Sequence, residues 1–217
     1  MEVRAFTGGG FGENAYLVVC GSTELAVVVD PGADAARLAD TIAHEQLEVV
    51  AILLTHAHID HVEGVADIRR AVPDVPIWLH PDALPMYRAM AHQAALFGLR
   101  MDQPPEPTDE LTHGLRFELG HCGLDVRDAP GHAPGHVILV SHDESFALVG
   151  DVVFHGSIGR TDLPGGDMKT LMKSIREQVL TLPDHTKLYC GHGPPTTVGH
   201  ERFSNPFLIP HYGGELA

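Results

Sequence analysis

Cysteine is scarce in this 217-residue chain: Cys20, Cys122 and Cys190 are scattered, with no C-x-x-C pair. An odd, dispersed set argues against a disulfide framework and fits a reducing compartment, so a cytoplasmic protein is expected. Basic residues are also few. Fourteen Lys plus Arg face 29 Asp plus Glu, a formal net charge of −15. That balance disfavours a nucleic-acid partner, because little positive charge is available for phosphate backbones. Anionic small molecules stay open, since bound cations reverse a local field. The N-terminus has no signal-like apolar stretch, and no run reaches membrane-span length, so no membrane partner is expected.

Histidine is the excess. Sixteen are present, and they form no single tract of the kind a His-rich metal buffer would show. Several fall in short clusters beside Gly or Asp, separated by long intervals, as a site assembled from several loops would leave them. Around these clusters, short β-branched runs predict strands at 15–20, 25–30, 49–55, 77–80, 124–129, 137–141, 146–150 and 187–190. Helices are predicted at 33–45, 62–71 and 168–180, the last capped by Asp167, with one kinked or two shorter helices in 81–99. Three prolines in 103–108 mark a break. One domain over 1–217 is expected, built of two similar β-then-α halves at about 1–105 and 106–217 packed sheet to sheet.

The apolar strand ending at Thr55 runs directly into His56-x-His58-x-Asp60-His61. Extended residues two apart point the same way, so His56, His58 and Asp60 can converge, whereas a helix would splay them. Singly, each of these residues reads as ordinary core or surface; four ligand types in six positions after a buried strand do not. Two imidazoles can serve one metal, with Asp60 and His61 serving a second nearby. Further ligands must come from other strand ends. His132 in Pro130-Gly131-His132, Asp151 in Val149-Gly150-Asp151 and His192 in Gly191-His192-Gly193 each sit beside a glycine, which permits close approach.

This ordered set resembles the metallo-β-lactamase superfamily, over nearly the whole chain from Asn14-Ala15-Tyr16 and Val29-Asp30-Pro31-Gly32 to Asn205-Pro206-Phe207. The segment Phe154-x-Gly156-Ser157-Ile158-Gly159-Arg160-Thr161-Asp162 and Gly191-His192-Gly193-Pro194 are similar to the glyoxalase II-like hydroxyacylglutathione hydrolases, in their short single-domain branch. The resemblance implies an α/β fold of the αββα type, two mixed sheets face to face with helices outside. It implies two divalent metal ions, zinc first with iron or manganese as alternatives. His56, His58 and His132 would hold one, Asp60, His61 and His192 the other, and Asp151 both. Hydroxide held between the metals would attack a small-molecule thioester of the S-lactoylglutathione type. Asp60 is the ligand placed to steer a proton. A thiolate leaves without strong acid help, because its parent thiol has a pKa near ~8.5.

Arg160 is a candidate for a substrate carboxylate, against a structural ion pair with Asp162. His155 is a candidate substrate contact. Asp30 reads as an orienting partner of a ligand histidine or as an ordinary turn residue, and His136 as a partner of the ligand set. Cys190 reads as packing. His44, His92, His113, His142, His185 and His211 read as surface residues. Antibiotic hydrolysis is disfavoured, since true β-lactamases of this type usually carry Cys where Asp151 stands. The alternatives are a mononuclear-iron persulfide dioxygenase using His56, His132 and Asp151, which tends to have Ala where Gly191 stands, and a non-catalytic metal-binding scaffold. Full-length glyoxalase II enzymes carry a further C-terminal helical region that grips glutathione. This chain stops soon after Phe207, and Asp162 stands where the family often has Tyr. The acyl group and the oligomeric state are left open.

Overall fold

The computed structural model describes residues 1–99, 101, 103–141, 143 and 145–209. The first sheet is built from β1 (Glu2–Gly8), β2 (Glu13–Val19), β3 (Leu25–Val29), β4 (Glu48–Leu53), β5 (Ile77–Leu79) and β6 (Asp109–Glu110), side by side in that order. β1–β2–β3 form an antiparallel meander, and β3 through β6 run parallel. The second sheet is formed by β7 (Arg116–Leu119), β8 (Cys122–Asp128), β9 (Val137–Ser141), β10 (Phe146–Gly150), β13 (Lys187–Cys190) and β14 (Thr196–Thr197). Its spatial order is β14-β13-β10-β9-β8-β7. A small hairpin of β11 (Val153–Phe154) and β12 (Ser157–Ile158) stands apart.

Alternation along the strands divides the core into three layers. Tyr16, Val18, Val27, Val29, Ala51 and Leu53 meet Leu124, Val126, Leu139 and Leu148 between the sheets. Their sequence neighbours Leu17, Val28 and Ile52 face outward against α1 (Ala35–Glu45) and α3 (Val65–Ala71). On the far side, Ile138, Val140, Ala147 and Val149 pack on α6 (Met168–Ser174). Strands apolar on both faces are what two covered sheets require. The result is the expected αββα sandwich.

Several elements differ from the sequence reading for identifiable reasons. β1 was not expected. It is a half-exposed edge strand held by the meander, with Phe6 its one buried side chain. β6, β7, β11, β12, β14 and α7 (Val198–Ser204) are short and lack a long apolar period. The expected helix at 62–71 is α2 (Ile59–Val62) followed by α3. Gly64 breaks it by donating its N–H to Pro31 O at 2.8 Å. The 81–99 segment is a 3₁₀ turn, then α4 (Leu84–Arg88) and α5 (Met90–Leu96). Asp167 does cap α6, accepting from Thr170 N–H at 2.7 Å, but the helix passes at Ile175 into a wider π turn. All three cysteines are thiols; Cys20 and Cys122 bring their sulfurs within 2.9 Å across the two sheets. Among the described residues no helix is long and apolar enough to cross a membrane.

Candidate metal centre

β3 and β4 run parallel in one sheet; β8, β10 and β13 share a direction in the other. Their C-terminal ends meet at one edge of the sandwich, and the chemistry-bearing residues lie just beyond them. Backbone bonds close this edge: Val137 N–H to Thr55 O at 2.8 Å, and Asn14 N–H to Gly191 O at 2.8 Å. The Asn14 side chain donates to Cys190 O and Gly193 O, and the Tyr16 hydroxyl to Cys190 O at 2.5 Å. These bonds fix the loop that carries His192.

His56 and His58 follow β4, and His58 is extended, at φ −72° and ψ 151°. Asp60 does not continue that zigzag, because α2 begins at Ile59 with His58 as its cap, so Asp60 and His61 sit on its first turn. A carboxylate is favoured there by the helix dipole. Asp151 follows β10 where the pairing with β13 slips a register between Leu148 and Gly150, an irregularity of the kind that re-aims a side chain. Gly191 supplies the close approach: a Cβ there would collide with Asp151 Oδ1 and stand 2.7 Å from His61 Cε1.

Seven of the expected residues converge. The ligand atoms of His56, His58 and His132 lie within 4.8 Å of one another, as do those of Asp60, His61 and His192. His58 Nδ1 is 2.8 Å from His132 Nε2, and His192 Nε2 is 3.2 Å from Asp60 Oδ2. Asp151 stands between the trios. Its Oδ1 is 3.3 Å from His61 Nε2, and its Oδ2 is 3.4 Å from His132 Nε2 and 3.5 Å from His192 Nε2. Asp30, His56 and His61 form a third such grouping. The Asp30 carboxylate, however, is committed to Thr55 N–H (2.7 Å), the Thr55 hydroxyl (2.6 Å) and His61 Nδ1 (3.1 Å).

The outer hydrogen bonds determine which imidazole nitrogen carries the proton. Arg160 O can only accept, so His132 Nδ1 donates to it at 2.8 Å. His192 Nδ1 likewise donates to Phe11 O at 3.2 Å. His61 Nδ1 donates to Asp30. The Thr55 hydroxyl spends its proton on Asp30, so it accepts from His56 Nδ1 at 3.0 Å. All four histidines therefore carry a proton on Nδ1 and, when neutral, leave Nε2 bare toward the centre. His56 Nε2, His61 Nε2 and Asp151 Oδ1 are buried without a hydrogen-bond partner. A centre lined so largely by acceptors is satisfied by cations, and imidazole with carboxylate is a donor set suited to zinc, iron or manganese. The residues fit divalent metal ions.

Protons compete for the same positions. Burial would discharge His61 and His192, but Asp151 and Asp60 outweigh it, holding His61 well above the ordinary range and pushing His192 up to about 10. Burial likewise opposes charge on Asp60 and Asp151, and His61 and His192 keep both below the usual carboxylate range. For the other buried imidazoles burial wins: His58 is pushed down to about 4, His132 is lowered despite Asp151, and His56 and His136 fall well below 6.5. In the metal-free protein the unfolding midpoint is therefore expected to peak near pH ~6.5. Below that pH, His56, His58 and His136 take protons only when unfolded, so stability falls toward pH 4. Above it, the folded chain retains protons on His61 and His192 that the unfolded chain has lost, and this stability disappears as pH rises through about 10. Glu13, pushed up to about 9 by burial, adds to the alkaline limb and softens the acid one. Thermal unfolding after chelation between pH 4 and 10 checks this; a flat profile would contradict it.

Other expectations resolve by position. Asp30 contacts His61 and Thr55, and it does so in the left-handed region at φ 48°, a strain tolerated where the surroundings over-determine it. His136 Nε2 accepts from Asp151 N–H at 3.1 Å, and its ring stacks on His56. Cys190 is buried in the outer core. Arg160 lines the cavity beside the cluster, but its guanidinium grips Asp162 through two 2.7 Å bonds. His155 is not brought there; it stacks on His200 and lines a separate cavity with His185. His44, His113 and His185 are exposed, as is His92, which nevertheless lines the cavity. His142 and His211 lie outside the described residues. Sequence reasoning missed Glu13, buried at 1% exposure with neither oxygen hydrogen-bonded, 4.0 Å from His61 Nδ1. It missed Thr55 and the carbonyls of Phe11 and Arg160 as well; none carries a local signal.

Fold and site together define a metal-binding His/Asp centre at the edge of an αββα sandwich. The chain belongs to the metallo-β-lactamase superfamily, whose model matches residues 8–192. It is 38% identical over 186 residues to "Hydroxyacylglutathione hydrolase GloC" of Haemophilus influenzae, covering 84% of this chain and 87% of that protein, which supports the glyoxalase II-like branch. Among solved structures, TTHA1623 in a di-iron-bound form has a TM-score of 0.87 and 42% identity over 95% of this chain and 100% of its own. BLEG-1 B3 metallo-β-lactamase has a TM-score of 0.88 and 35% identity over 98% and 100%.

Proposed function

We propose that the protein is a dinuclear metal-dependent hydrolase acting on thioesters of the hydroxyacylglutathione type. The observation that carries this reading is the pair of ligand trios with Asp151 between them, and the outer nitrogens of His56, His61, His132 and His192 each hydrogen-bonded. His56, His58 and His132 would hold one ion; Asp60, His61 and His192 the other; Asp151 would contact both. When bound, two divalent ions bring the pKa of water toward neutrality and polarise a carbonyl oxygen.

The chain's own groups do the rest. Asp30, Thr55, Arg160 O and Phe11 O hold His61, His56, His132 and His192 in one tautomer, with Nε2 left for the ions. Asp60 lines the cavity and lies 3.2 Å from His192 Nε2, where it can take a proton from attacking water and release it to solvent. The leaving thiolate needs no dedicated acid, and no other side chain is placed as one in this reading. The relationship to a hydroxyacylglutathione hydrolase supports the thioester. β-Lactam hydrolysis is the second reading, favoured by the 35% identity to a B3 metallo-β-lactamase.

Metal content and turnover test this together. Two metals per chain with hydrolysis of S-D-lactoylglutathione is the expected result. One iron with oxygen uptake on glutathione persulfide would replace the proposal with a dioxygenase. Faster opening of a chromogenic cephalosporin than of any thioester would favour the second reading.

A further inference from the structure

Beside the His/Asp cluster lies a cavity of about 550 Å³, within the size range that takes up a drug-sized ligand. Three separate stretches line it with apolar side chains: Phe11 after β1, Met86, Leu96 and Phe97 along α4 and α5, and Ile158 and Leu163 around the hairpin. Phe11 and Phe97 meet edge to face at 5.2 Å, and each is nearly half exposed. Two large aromatic rings held at a cavity rim are out of place on a surface that meets only water, and natural for one that meets an apolar group. Asp60, Asp151 and the ligand imidazoles form one side of the same cavity, so whatever fills it is continuous with the reacting bond.

The charges lining it narrow the choice. Among the described residues, Arg160 is the one Lys or Arg side chain lining the cavity, and Asp162 engages it through both Nε and Nη2. A glutathionyl group carries two carboxylates and an ammonium. Drawn into this cavity, the carboxylates would lose water without gaining an uncommitted Lys or Arg among the described residues of the wall. The charged thiol portion therefore belongs outside, toward solvent, and the acyl group inside. A three-carbon, hydroxylated lactoyl group would cover little of that wall.

We propose that this cavity is an acyl pocket, and that among the thioesters the protein hydrolyses, those of apolar acyl groups, straight chains of roughly six to eight carbons or aromatic acids, are preferred over lactoyl. The thioester part rests on the hydrolase reading above; the apolar pocket does not.

The test runs in two arms on the zinc-loaded protein. The first measures kcat/KM for acetyl-, lactoyl-, butanoyl-, hexanoyl- and octanoylglutathione. The second measures calorimetric binding of S-methylglutathione and S-hexylglutathione, which cannot be hydrolysed. Expected are a gain of about three- to fourfold per methylene up to hexanoyl, and S-hexylglutathione binding at least ~10-fold more tightly than the S-methyl compound. Phe97→Asp should flatten both series. Phe203→Asp, at a ring 70% exposed and outside the cavity, should leave both slopes intact. Turnover highest for lactoyl, or indifferent to length, together with equal binding of the two thioethers, overturns the acyl pocket and leaves the hydrolase standing. Tight S-hexyl binding without turnover of any thioester does the reverse. Neither turnover nor length-dependent binding overturns both.

Discussion

Asp151→Ala should lower thioester turnover by on the order of 10³-fold and bring metal content well below two ions per chain. Asp151 is the residue whose two oxygens reach both trios, at 3.3 Å from His61, 3.4 Å from His132 and 3.5 Å from His192. Its removal takes a negative charge from between two positions that are otherwise mostly neutral imidazole. Ion affinity then falls at both together, unlike the loss of a ligand belonging to one trio. Asp151→Asn keeps the shape but turns an amide donor into a centre of acceptors, so it should be nearly as damaging. Elemental analysis beside kcat, with circular dichroism to show a retained fold, checks the expectation. Two tightly held ions in the Asp151→Ala protein would exclude a bridging role.

Asp30→Asn should weaken metal binding by about 10- to 100-fold and cost roughly 1–3 kcal/mol of stability, although Asp30 is assigned no metal. Its carboxylate accepts from Thr55 N–H, from the Thr55 hydroxyl and from His61 Nδ1. An amide offers one acceptor oxygen where two are used, so at least one of these donors is left facing another donor. If His61 loses the bond, its proton is free to move to Nε2, the atom turned toward Asp151. If Thr55 loses it, the acceptor for His56 Nδ1 is disturbed instead. Asp30→Gly relieves the positive φ yet strands all three donors, and should bind metal still more weakly. Chelator competition and denaturant unfolding give the two numbers. Wild-type affinity in Asp30→Asn would show that His61 is held by packing alone.

Much of the site could be read along the chain because its donors follow strand ends. An apolar β-branched strand running into His56-x-His58, and glycine beside His132, Asp151 and His192, are local signals. Asp60 shows the limit: spacing placed it on an extended zigzag, whereas the turn after His58 put it on α2. The gap arises because a two-residue period survives only while the backbone stays extended. Arg160 shows another limit. The sequence left it between a substrate carboxylate and Asp162, and two near-ideal bonds to a neighbour two residues away join it to the nearer partner.

By itself, then, the sequence determined the donor types, their order and the strands that deliver them, since periodicity and residue chemistry are local; the αββα class came from the family resemblance that those motifs carry. Tertiary structure alone decided which nitrogen of His61, His132 and His192 faces the centre. Those tautomers are fixed by acceptors far off in the chain: Asp30 for His61, Arg160 O for His132, Phe11 O for His192. It likewise decided the apolar cavity, whose wall is gathered from three separate stretches. A hydrogen-bond partner many residues away leaves no periodic trace, and a surface shared between loops exists only once both sheets have packed.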